Sequence, residues 1–204
     1  MSIRRFTCSV LAVLAALGSA SASTPGEART APAYEYRVLA TLRTSTMERE
    51  LNDAAANGYR FMGVMKGDTA FGGGEVVSIL AREPGVTTGR YEYRLLATQK
   101  TSTMERELRR AGEAGFSYRG QTIGGEVIVI LERDREASPL RYEYRLLATQ
   151  KTGTMQSELA EAGRNGFEFV GVTVAETAFG GSEVVSILRK RIEIPDVERS
   201  ADSR

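Results

Sequence analysis

The sequence predicts an α+β fold of three tandem βαββ units, on three observations. An octet opening Tyr-Glu-Tyr-Arg occurs three times, at positions 34–41, 91–98 and 142–149. Each octet leads into a Thr-rich turn, a Met-x-x-x-Leu segment, a Gly-aromatic pair and a valine-isoleucine run. All five prolines (25, 32, 84, 139 and 195) fall outside the resulting copies, where they break neither helices nor central strands. The repeats span 34–83, 91–134 and 142–191, with internal repetition as the dominant feature of the chain.

Each element follows from its residues. The opening octet is rich in aromatic and branched side chains and predicts a strand. Ser45-Thr46-Met47-Glu48 reads as a capping box with Ser45 as N-cap; Ser102 and Glu105 repeat it, and Gly153 and Gln156 form a weaker version. Met47, Leu51 and Ala54 then lie at i, i+4, i+7 on one helical face, matched by Met104, Leu108, Ala111 and by Met155, Leu159, Ala162. Gly58, Gly115 and Gly166 stand where a helix takes a left-handed C-terminal residue. Strand two begins at once, with Tyr59 and Phe61, Phe116 and Tyr118, or Phe167 and Phe169 alternating onto one face. Strand three is expected over 75–81, 126–131 and 183–188. A right-handed crossover leaves room for strand three between the other two, which predicts order 1-3-2, a half-ferredoxin-like unit.

A single helix on three strands buries little, so the open face of each sheet is expected to meet something. Strict alternation along strand two puts Arg60, Met62 and Val64 on that face in repeat one, and Glu168, Val170 and Val172 in repeat three. Ser117, Arg119 and Gln121 occupy it in repeat two, whose hairpin is also shortened: 35 positions separate Tyr91 from Glu126, against 41 in the other repeats. The expectation is that repeats one and three pack on each other, or on a second chain, through Met62 and Val170.

Outside the repeats, residues 1–22 read as a secretory signal peptide: Arg4 and Arg5, an apolar run from Phe6 to Leu17, and Ala20-Ser21-Ala22 for cleavage after Ala22. The apolar run falls short of the ~20 residues a spanning helix needs. Residues 23–33 are expected to be a disordered leader and 192–204 a flexible tail. The full chain has 27 basic and 26 acidic side chains, no His, no Trp and one Cys. Cleavage removes Cys8 and two positive charges, taking the formal charge from +1 to −1 and leaving no thiol. A chain with that balance lacks the basic excess of a nucleic-acid binder. Without His or Cys it also lacks the usual general base, metal ligand and nucleophile dyads. No metal and no cofactor are therefore expected, and no integral membrane segment in the mature chain.

The candidate sites are few. Gly-rich loops at 69–74 and 177–182 present Phe71 and Phe179 as partner contacts, the plainer reading being long hairpins whose glycines supply positive φ. They lack a phosphate-binding lysine and open onto a strand. Arg37 with Glu75, Arg94 with Glu126 and Arg145 with Glu183 are candidate cross-strand pairs. No second carboxylate at a defined spacing accompanies them, and no catalytic residue is assigned.

The order Tyr-Glu-Tyr-Arg-Leu-Leu, Glu-Leu, Gly-aromatic-x-aromatic and a hydrophobic strand ending in Arg resembles the bacterial domain of unknown function 4177 family. Leu51-Asn52 and Gly58-Tyr59-Arg60-Phe61-Met62 carry the resemblance best, with Gly166-Phe167-Glu168-Phe169-Val170 similar. Tyr59, Phe116 and Phe167 stand where that family usually has Trp. The resemblance implies the βαββ fold and no activity. The sequence thus points to an exported, non-enzymatic binding or assembly module of the bacterial envelope, working on a protein partner or on itself. The alternatives are a hydrolase inhibitor or a carboxylate-only enzyme with a site between repeats.

Overall fold

A computed structural model describes residues 33–69, 73–124, 126–149, 151–176 and 181–192. The signal segment with Ala22, residues 23–32 of the leader, residues 193–204 of the tail, Phe71 and Phe179 lie outside the described residues; Ile192, expected to open the tail, is instead the last residue of a strand. Repeat one contains β1 (Glu35–Thr41), α1 (Thr44–Ala56), β2 (Arg60–Thr69) and β3 (Gly73–Arg82). Repeat two contains β4 (Tyr91–Thr98), α2 (Thr101–Glu113), β5 (Ser117–Ile123) and β6 (Val127–Asp134). Repeat three contains β7 (Arg141–Thr149), α3 (Thr152–Arg164), β8 (Glu168–Glu176) and β9 (Ser182–Ile192). The three antiparallel sheets have orders β1-β3-β2, β4-β6-β5 and β7-β9-β8. The predicted order 1-3-2 is found in all three repeats.

The helix ends follow the glycines. Gly58, Gly115 and Gly166 have φ of +83°, +84° and +82°. In repeat one the Gly58 and Tyr59 amides donate to the Ala55 and Ala54 carbonyls, a Schellman closure. Gly115 with Phe116 and Gly166 with Phe167 repeat it. The helix starts differ from expectation. Each helix begins at Thr44, Thr101 or Thr152, the N-cap positions are Arg43, Lys100 and Lys151, and none makes a side-chain cap bond. Ser45 and Ser102 already lie inside the first turn, so no capping box forms.

Strand two departs from strict alternation. A bulge lies between Phe61 and Gly63, and recurs between Tyr118 and Gly120 and between Phe169 and Gly171. One extra residue reverses the faces beyond it. Val64 and Val172 therefore sit opposite Ser78 and Ser186 on the helix side, while Met65 and Thr173 sit opposite Val77 and Val185 on the other side.

The predicted Arg–Glu pairs do not form across the sheets. Arg37, Arg94 and Arg145 stand opposite Leu80, Leu131 and Leu188, several rungs from Glu75, Glu126 and Glu183. They lie instead over the aromatic ring that immediately precedes strand two: Arg37 on Tyr59 at 5.7 Å, Arg94 on Phe116 at 4.4 Å and Arg145 on Phe167 at 5.8 Å. Arg82, Arg133 and Lys190 approach the same three rings, at 4.5, 4.8 and 5.8 Å. Each repeat thus holds an aromatic ring between two cations where the helix passes into strand two. Cross-strand ion pairs instead join the Glu of Tyr-Glu-Tyr to strand three in two repeats, Glu35 with Arg82 and Glu92 with Arg133 at 2.5 Å, and join Glu168 to Arg189 in the third.

Candidate binding surface

The repeats do not pack one against three. Repeat one packs on repeat two, and repeat two on repeat three, through two joints built from corresponding residues. In the first, Met47, Leu51, Ala54 and Ala55 of α1, with Phe61 and Leu80 of their own sheet, share a core with Tyr93, Leu95, Ile128 and Ile130 of the next sheet. In the second, Met104, Leu108 and Ala111 of α2, with Phe116 and Leu131, share a core with Tyr144, Ile187, Leu146 and Val170. α1 and α2 are each covered by their own sheet on one side and by the open face of the following sheet on the other. Val170, expected as a partner contact, is consumed inside the second joint.

Polar contacts locate the joints. The Phe61 amide donates to the Tyr93 hydroxyl at 2.8 Å, and the Tyr118 amide donates to the Tyr144 hydroxyl at 2.6 Å. The Thr44 hydroxyl donates to Glu126 at 3.0 Å, and the Thr101 hydroxyl to Glu183 at 2.7 Å. Two of the glutamates expected to pair across a sheet therefore tie one repeat to the next. In the first joint Asn52 makes a two-bond clasp on the backbone of Tyr93 at 2.9 Å each way, and Glu48 accepts the Leu95 amide at 2.8 Å. Glu48 serves here and not in a cap.

Steric fit locates them as well. The Phe61 ring lies over Gly120, where an added Cβ would come within 3.3 Å of it, and the Tyr118 ring lies over Gly171, where a Cβ would meet its hydroxyl at 2.5 Å. On the helix side, a Cβ at Gly112 would meet the Tyr142 carbonyl oxygen at 2.2 Å. These glycines permit close approach between repeats.

One carboxylate is sealed between repeats. Glu132 is 5% exposed and receives Arg60 at 2.8 Å, the Tyr93 hydroxyl at 2.9 Å and Arg119 at 3.5 Å. This network explains why polar Arg119 on repeat two is compatible with a packed face: its charge meets a buried carboxylate that alternation along strand two does not reveal. Burial, then Glu132, push the Tyr93 hydroxyl well above the ordinary tyrosine range. Burial does the same to Tyr144, and pushes Tyr118 up to about 12.

The two ends of the stack lack a counterpart within the chain. On the open face of the first sheet Tyr36 is 68% exposed, whereas the corresponding Tyr93 and Tyr144 are 2% and 3% exposed. Tyr34, Val38, Met62, Met65 and Ile79 share that exposed apolar face, and Met62, one of the expected contacts, lies on it. Beside it, Tyr34, Tyr36, Arg60, Met62 and the 83–90 linker line a groove of about 450 Å³. At the other end, the helix side of the third sheet exposes Phe169, Val172, Val174 and Val184. Contiguous apolar surface of this kind marks interaction sites in soluble proteins. The signal that locates these faces in the sequence is the recurring glycine two residues after the second aromatic, at 63, 120 and 171, which marks the bulge.

The fold and its joints define a stacked α+β repeat protein. No family model, no curated protein and no solved structure matches the chain. Among the described residues no helix is long and apolar enough to cross a membrane.

Proposed function

We propose that this chain is an exported, non-enzymatic assembly module of the bacterial cell envelope, built from copies resembling the domain of unknown function 4177 family, whose working surface is the open face of the first sheet. The observation that carries this reading is the contrast at one repeated position: Tyr36 exposed, Tyr93 and Tyr144 buried. A face built from the same residue types as two packed interior faces is suited to bury against protein. The site between repeats is poorly suited to catalysis, since Glu132 already accepts from Arg60 and Tyr93. A general base needs an available lone pair aimed at substrate.

The test is photo-crosslinking in bacterial cells that produce the chain, with the photoreactive residue at Val38 or, as control, at exposed Arg49 of α1. A covalent protein adduct is expected from Val38 and not from Arg49. No adduct from Val38 above the control level would overturn the reading. Residues 1–22 should be missing from the exported species, giving Ser23 as its first residue by mass spectrometry.

A further inference from the structure

We propose that the partner of the exposed sheet face is the third repeat of a second copy, so that chains associate head to tail by repeating the joint already made twice within each chain. This rests on the assembly reading above and names its occupant.

The two internal joints correspond residue by residue. A joint consists of a ring on strand two, a glycine hole in the next sheet, a tyrosine hydroxyl that accepts the ring residue's amide, and a small residue near the helix end. The first joint uses Phe61, Gly120, Tyr93 and Ala55; the second uses Tyr118, Gly171, Tyr144 and Gly112. Continuing the series requires Phe169 and Gly163 on the donor side, with Gly63 and Tyr36 on the acceptor side. All four are present in the sequence, and all four are unused. Phe169 is 56% exposed where Phe61 is 1% exposed. An added Cβ at Gly63 or at Gly163 would meet nothing within 4 Å, in contrast to Gly120, Gly171 and Gly112. Tyr36 is the most exposed of the three corresponding tyrosines.

The helix stripe agrees. Met47, Leu51, Met104 and Leu108 are fully buried, whereas Met155 and Leu159 at the same positions of α3 are only half-buried. They lack the one layer that covers α1 and α2, a following sheet. The two ends of the chain are thus the two unmatched halves of a single kind of joint. An interface of this kind is heterologous: it closes into a ring if the rotation allows and otherwise extends as a filament. It is unlike a two-fold dimer, in which the same face would meet itself. Charge does not oppose it: Glu168 would fall opposite Ala81, at the position where the internal joints pair Arg60 with Glu132 and Ser117 with Arg189.

The experiment is sedimentation velocity on the purified chain and two variants. Gly63→Arg fills the hole and leaves the repeat-three end intact; Phe169→Asp removes the ring and leaves the sheet face intact. The wild-type chain is expected to form oligomers that grow with concentration or close at one size. Each variant alone is expected to be a monomer, and an equimolar mixture is expected to give a species of two chains that grows no further. That last result also shows that both variants are folded. A wild-type chain still monomeric at about 1 mM would overturn the proposal, as would a Phe169→Asp chain that associates like wild type, or a mixture that does not pair. The outcome is separable from the assembly reading: if Val38 crosslinks in cells only to proteins other than this chain, self-association falls while the binding surface stands.

Discussion

Replacing Gly112 by alanine is expected to destabilise the protein by about 2 kcal/mol, although glycine-to-alanine exchange inside a helix ordinarily stabilises by about 1 kcal/mol. The added methyl would come within 2.2 Å of the Tyr142 carbonyl oxygen and 2.9 Å of the Tyr144 ring. Both contacts belong to the next repeat, and one of them is rigid backbone, so α2 and β7 must move apart. That movement strains the cluster of Met104, Leu108, Tyr144 and Ile187. The same exchange at Gly163, one repeat later, meets nothing within 4 Å. It is expected to show the ordinary helix gain of about 1 kcal/mol. Urea unfolding of the two variants in dilute solution checks both, and the opposite signs are the informative result. Equal and positive effects would mean that α2 does not bear closely on the third sheet.

Phe61→Ala is expected to cost about 4 kcal/mol, in the range for a fully buried aromatic ring. The ring is 1% exposed, packs at 6.3 Å from the Tyr93 ring and lies over Gly120, so its removal opens a cavity shared by two repeats. Phe169→Ala, at the same position of the last repeat, is expected to change stability by less than about 0.5 kcal/mol in dilute solution, as for an ordinary surface substitution. Thermal unfolding of the two variants side by side measures the difference. A comparable loss at both positions would place a partner layer over Phe169 within the monomer, contrary to the structure.

Several parts of this arrangement were legible in the sequence because they depend on local chemistry. Gly58, Gly115 and Gly166 had to end helices, since a positive φ there is cheap only for glycine. The right-handed crossover then required strand three in the middle. The Met-x-x-x-Leu stripe identified the buried helix face. What failed, failed for identifiable physical reasons. Counting by twos along β2 and β8 assigns Val64 and Val172 to the open face because a bulge resets the count, and the glycine that marks it looks like any strand glycine. Repeat two looked too wet to pack because its hydrophobic contribution comes from Tyr93, Leu95, Ile128 and Ile130 on its other two strands. Its arginine, moreover, is neutralised by Glu132.

The misassigned ion pairs have a related cause. Arg37 and Glu75 both belong to adjacent strands, but the register places Arg37 beside Leu80 and gives the cation a ring as neighbour. Glu126 and Glu183 turn out to bind the helix start of the preceding repeat, a contact separated by 82 residues in each case. No local pattern announces such a contact. Repetition does: the same Thr and the same Glu recur in every copy, and the third Thr, Thr152, begins a helix with no following repeat.

Hydrogen exchange resolved by helix separates α1 and α2, each covered by the sheet of the next repeat, from α3, which has no such cover within the chain. In dilute solution α1 and α2 are expected to exchange slowly and at similar rates, close to the global unfolding limit, and α3 at least about tenfold faster through local opening. Equal protection of all three helices, or least protection in α1, would contradict the account.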